Sequence, residues 1–79
     1  LFMRVIKTSS YNNITITYFE VNLKFILKFE SFGMEQTYKV DKLEFLNFSD
    51  LEDKIDKNFV GSIESRFDDM RSVLKKLYN

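Results

Sequence analysis

No cysteine, histidine or proline occurs anywhere in the chain, and glycine occurs only twice. The missing thiols exclude disulfides and thiolate metal sites as staples, and the missing imidazoles remove the commonest transition-metal ligand and general base. Serines such as Ser9, Ser31, Ser49 and Ser62 therefore have no histidine to act as base, which argues against conventional serine nucleophile chemistry. With Gly33 and Gly61 as the only glycines, no glycine-rich loop exists to cradle a phosphate through backbone amides. Also absent is any run near the roughly 20 apolar residues that cross a bilayer. The N-terminus lacks a basic segment followed by an apolar stretch and a cleavage site. The expectation is a cytoplasmic protein with no membrane partner and no cofactor.

What the chain does contain must fold it. Its 79 residues make one domain, 1–79, close to the lower size at which a single apolar core outweighs the conformational entropy lost on folding. Nine Phe and four Tyr supply the means, because each buried ring removes a large area from water. Twelve basic and twelve acidic side chains give zero net charge, so no long-range field draws the whole molecule to nucleic acid or to an anionic membrane. Heavy use of Lys, Asn, Ile and Phe suits an AT-rich bacterial or phage genome. Leu1-Phe2 precede Met3, where alternation begins, and read as an addition upstream of the folded design.

Period-two patterning predicts strands over 3–8, 14–21, 23–30 and 34–40. The third is the clearest: Leu23, Phe25, Leu27 and Phe29 alternate with Lys24, Ile26, Lys28 and Glu30, giving a strongly apolar face suited to a central strand. Ser9-Ser10-Tyr11-Asn12-Asn13 ends the first strand, Asn22-Leu23 forms a tight turn, and Ser31-Phe32-Gly33 closes a hairpin with Gly33 as its left-handed residue. The simplest order is an antiparallel meander.

From Asp41 the period changes. Residues 41–48 form an apolar and charged connector, and helices are expected over about 49–78. Ser49-Asp50-Leu51-Glu52 fits a capping box with Phe48 as hydrophobic staple, opening a short helix to about Asp56. Phe59, Ile63, Phe67, Met70, Leu74 and Leu77 then recur every three or four residues in one helical stripe. Gly61, near its start, marks either a break between two helices or a close approach to the sheet. The predicted fold class is α+β: a four-stranded antiparallel meander, a short helix and a long C-terminal helix packed on one sheet face. The expected core draws on Val5, Ile16, Tyr18, Phe25, Leu27 and Phe29, with Tyr38, Phe59, Ile63, Phe67, Met70 and Leu74 closing over them.

Candidate chemistry is sparse. Glu64, Asp68 and Asp69 form the densest acidic cluster. Only Glu64 and Asp68, four apart, share a helix face, and a hard cation wants several converging oxygens. Glu52, Asp53 and Asp56 with Lys54 and Lys57 read as a solvated helix face whose first-turn acids suit the helix dipole. No catalytic, cofactor-binding or metal-binding set emerges.

The surface of most interest is the sheet face opposite the Phe25-Leu27-Phe29 stripe. It should present Lys24, Lys28 and Lys39 beside Phe19 and Ile26, with Thr15 and Thr17 near them. Cations interleaved with apolar groups can hold a phosphate backbone while bases stack, although such platforms usually accompany a net basic charge. In element order, four strands followed by a helix, the chain resembles the PUR-type and transcriptional-coactivator-type single-stranded-DNA-binding folds. That resemblance implies subunits that dimerise and bind nucleic acid on the sheet; no residue is carried over from it. The leading expectation is a non-enzymatic protein-interaction module, homodimeric through the open sheet face or a sheet edge, with Phe19, Lys24, Ile26, Lys28 and Lys39 as its interaction face. The alternative is a single-stranded nucleic-acid-binding protein using the same lysines and aromatics.

Overall fold

Alternation becomes four strands of equal length: β1 (Arg4–Tyr11), β2 (Ile14–Val21), β3 (Lys24–Ser31) and β4 (Met34–Asp41). A 3-10 turn (Lys42–Glu44) and two helices, α1 (Phe48–Lys54) and α2 (Lys57–Lys75), complete the chain. This computed structural model describes residues 3–78. The reading of Leu1-Phe2 as an upstream addition lies outside the described residues, as does the conformation of Asn79. The sheet order is β1-β2-β3-β4, every neighbour antiparallel, which is the predicted meander.

Each hairpin closes with a two-residue turn, and each turn contains a residue with positive φ: Asn12 at 53°, Asn22 at 52°, and Phe32 at 46° followed by Gly33 at 78°. Asparagine tolerates this region and glycine favours it, but a bulky aromatic at Phe32 is strained. β1 runs through Ser9-Ser10-Tyr11 to the turn, further than the polar run suggested, because those residues face β2 partners Ile16, Thr15 and Ile14.

The pairing of β1 with β2 shifts between Val5 and Lys7. The extra residue, Ile6, packs against the core, whereas Val5 pairs with Phe19 on the far face and is 55% exposed. Val5 therefore leaves the expected core and Ile6 enters it. A bulge places two successive residues opposite one, so strict alternation cannot identify which of the two faces inward.

One face of the sheet carries Ile14, Ile16, Tyr18, Phe25, Leu27, Phe29 and Met34 into a single cluster with Leu51 of α1 and Val60, Ile63 and Phe67 of α2. Phe48 stacks edge-on against Tyr18 with ring centroids 5.2 Å apart and against Phe25 at 5.9 Å, so the chain at the start of α1 seals that end. The start of α1 differs from the expected capping box. Asn47 is the N-cap, its side chain accepting from the Asp50 amide at 2.9 Å, while Asp50 accepts from the Leu46 amide at 3.0 Å. α2 opens with Asp56, whose carboxylate accepts from the Phe59 amide at 2.9 Å.

Gly61 lies within the unbroken α2, and a Cβ built there meets nothing within 4 Å. It marks neither a break nor a close approach to the sheet. α2 also outruns the sheet: from Ser72 to Tyr78 every residue is exposed, and Leu77 is 74% exposed. Helix gives way to turn after Lys75. Leu74 thus leaves the expected core, because the apolar stripe continues past the last strand residues available to cover it.

Candidate functional site

The far face of the sheet, uncovered by either helix, presents the predicted set. Strand register aligns Val5, Phe19, Ile26 and Lys39 in one row, Thr8, Thr17, Lys28 and Thr37 in the next, and Val21, Lys24 and Asp41 in a third. Phe19, Lys24, Ile26, Lys28 and Lys39 therefore do share a face. The same register adds Glu30 and Glu35 opposite each other, which sequence alternation implied and the lysine count alone concealed. Carboxylates thus stand among the lysines of this face: Lys24 lies 4.0 Å from Asp41, and Lys28 lies 3.9 Å from Glu30 and 3.8 Å from Glu35. Among the described residues Lys39 makes no ion pair. Ile26 is only 8% exposed without belonging to the main core cluster. Its cross-strand neighbours are Phe19 and Lys39, and side chains of that length flanking a central strand can cover it. The lysines of this face are matched by carboxylates, and its exposed apolar surface includes Val5, at 55%.

Apolar surface is also exposed on the helix side, over β4, where it is concave. α2 packs on the stripe from β2 and β3, and between it and the β4 edge lies a groove of about 470 Å³. Its walls include Tyr38 and Val40 from β4, Phe45 and Ile55 from the helix connections, and Phe59 and Ile63 from α2. Lys54 and Arg66 also line it. Tyr38 and Phe59, expected in the core, are 41% and 37% exposed because this groove separates them from full cover. Their rings still pack on Phe29, at 6.2 and 6.0 Å between centroids, which anchors the wall to the core. Buried Gln36 bridges two residues of the groove wall. Its amide donates to the Ile63 carbonyl at 3.0 Å and its oxygen accepts from the Tyr38 hydroxyl at 2.8 Å, which ties α2 to β4. The groove escaped the sequence reading because it depends on where α2 crosses the sheet, which periodicity does not encode.

Of the acidic candidates, Glu64 and Asp68 line one open polar cleft of about 480 Å³ with Asn13, Ser65 and Arg71, and Asp69 is not among its walls. Glu64 accepts from Asn12 at 3.3 Å, Asp68 from Arg71 at 2.9 Å and Asp69 from Arg66 at 3.4 Å, each in an exposed pairing. Among the described residues no group of carboxylates is placed to hold a metal ion. Perturbed titration follows structural contacts. The Glu20 carboxyl is held below its ordinary range by a hydrogen bond from Lys42 and then one from Arg4, which clips β1, β2 and the 3-10 turn together. Asp50 is lowered by Lys54 and then by the Leu46 amide, and burial, followed by the charge of Glu52, raises the Tyr18 phenol. Of the three, Tyr18 lines a half-open cleft of about 280 Å³ that also takes in Ser10, Glu52, Asp56 and Lys57. Among the described residues no helix is long and apolar enough to cross a membrane.

Comparison with protein-family models, with curated proteins and with solved structures finds no match.

Proposed function

We propose that the chain is a small non-enzymatic protein-interaction module, self-associating in its simplest form, whose contact surface is the groove between α2 and the β4 edge. The observation that carries the reading is the groove's composition: a mostly apolar wall of Tyr38, Val40, Phe45, Ile55, Phe59 and Ile63, with the cations Lys54 and Arg66 also lining it. Apolar surface in a concavity with polar groups beside it is what a protein partner covers. It lies beside an edge strand whose outer backbone groups are free to pair. The protruding stripe of Val73, Leu74 and Leu77 adds apolar surface outside the fold.

Nucleic-acid binding on the far face has less support, since Glu30, Glu35 and Asp41 offset Lys24, Lys28 and Lys39 there. A phosphate-binding platform would show affinity falling steeply with salt.

The test is selection of displayed peptides on the immobilised chain, repeated with Phe59→Glu. Position 59 is the third residue of α2, where an acid suits the helix dipole, so the helix is retained while the groove wall becomes charged. Selected peptides that lose binding to the variant support the groove. Selected peptides that bind both proteins equally, or lose binding only when Phe19 or Lys28 is replaced, place the contact elsewhere and refute the reading.

A further inference from the structure

The two edges of the sheet are unlike. β1 is interrupted by the bulge between Val5 and Lys7, a device that discourages strand addition, whereas β4 runs eight residues with no bulge and no proline. The direction of its free groups follows from the hairpin. Ser31 and Met34 flank the two-residue turn as a hydrogen-bonded pair, and such pairs alternate along an antiparallel ladder. The Lys42 amide donates to the Leu23 carbonyl at 2.9 Å, in step with that alternation. Met34, Gln36, Tyr38 and Val40 thus bond inward to β3, and Glu35, Thr37, Lys39 and Asp41 direct their amides and carbonyls outward.

Resting on the protein-interaction reading above, we infer that the occupant of this edge is a second copy of the chain, its β4 antiparallel to the first across a two-fold axis at Thr37. The axis sets Thr37 against its own copy and Glu35 against Lys39 of the other chain, twice by symmetry. Each of these three pairs is of the hydrogen-bonded kind, so the outward groups of Glu35, Thr37 and Lys39 are all satisfied. On the helix side Met34 meets Val40 and Gln36 meets Tyr38, which brings the two grooves together and covers Tyr38 and Val40.

Other registers are worse. An axis at Glu35 or at Lys39 places like charges face to face, and one at Tyr38 opposes Glu35 to Asp41. An axis at Gln36 leaves both Glu35 and Lys39 opposite uncharged residues. An axis at Val40 does set Lys39 against Asp41, but it pairs only the stretch from Lys39 to Asp41 and leaves the rest of the edge open. The Thr37 axis alone combines a long ladder with a carboxylate for Lys39, which makes no ion pair among the described residues. The arrangement joins the two meanders into one continuous sheet with both α2 helices on one side. Stable interfaces bury about 1,200–2,000 Å² in total, more than two bare strands provide, so the groove walls are part of the contact.

The experiment is solution mass by light scattering across a dilution series for the wild type, Glu35→Lys, Lys39→Glu, the double charge swap, and Thr37→Pro. Proline at an outward amide of an edge strand is compatible with the fold, and circular dichroism on each variant checks that the fold persists. The wild type is expected to dimerise. Each single charge variant should weaken the dimer by about tenfold, since two attractions become two repulsions. The double swap should restore it, because opposite charges again face each other across the axis with their positions exchanged, and the folded proline variant should remain monomeric. A dimer insensitive to the single variants, or a swap that fails to rescue, overturns this register. A monomeric wild type overturns the second copy as occupant; groove-dependent peptide selection in that same monomer would leave the broader reading standing, and loss of both would end it.

Discussion

Gly33 and Gly61 allow one substitution to test two opposite backbone arguments. A Cβ added at either position meets nothing within 4 Å, so steric contact is equal and absent in both. They differ in dihedral angle: Gly33 sits at φ 78°, whereas Gly61 lies inside α2. Ala in an exposed helix interior is better than Gly by about 0.8–1.0 kcal/mol, part of it from reduced freedom of the unfolded chain. Gly61→Ala should therefore stabilise by about 1 kcal/mol and raise the melting temperature by about 4–8 °C for a domain of this size. Gly33→Ala should move the other way by about 1 kcal/mol, because the left-handed region penalises a Cβ. Denaturant titration at a single protein concentration, fixed so that self-association contributes equally, measures both with unchanged slopes. Destabilisation by Gly61→Ala would refute the open-helix placement and imply backbone contact with another chain.

Three further outcomes follow from packing, capping and charge. Phe67→Ala empties a fully enclosed site and should cost about 3–5 kcal/mol, a large share of the stability of so small a domain. Leu77→Ala, in the same stripe but exposed, should stay within about 0.5 kcal/mol in the same denaturant titration. Asn47→Ala should lose about 1 kcal/mol as the true cap of α1, while Ser49→Ala should be close to neutral; thermal melts distinguish them. Because Glu20 and Asp50 titrate below their ordinary range when folded, their contribution is present above the unfolded carboxyl range, about pH 4, and is lost as pH falls through the folded values. Glu20→Gln should accordingly flatten the acid limb of a plot of unfolding midpoint against pH.

Local pattern carried most of the fold. Leu27 and Phe29 alternate with Lys28 and Glu30 and could face only one way, and the stripe from Phe59 to Phe67 allowed only a helix. What escaped depends on geometry between elements. The side chain of Ile6 turns inward at a bulge, which breaks the period that identified its neighbours. Asn47 caps α1 two residues ahead of the serine that matches the motif, because Asn is an equally good acceptor and the backbone reaches it first. Leu74 belongs to the right helix face, but the sheet beneath it has ended. The far-face residues were legible as a set, from Phe19 to Lys39, because alternation alone assigns a face. Their neutralising carboxylates and the groove over β4 required the register and the placement of α2.

Amide hydrogen exchange resolved by residue tests the central claim most directly, comparing the outward amides of Thr37 and Lys39 on β4 with those of Thr8 and Ser10 on β1. The account predicts that Thr37 and Lys39 are protected at concentrations where the chain associates and become exchangeable on dilution, while Thr8 and Ser10 exchange rapidly throughout. Thr37 and Lys39 exchanging at the solvent rate at every concentration, or protection arising on β1 instead, would contradict it.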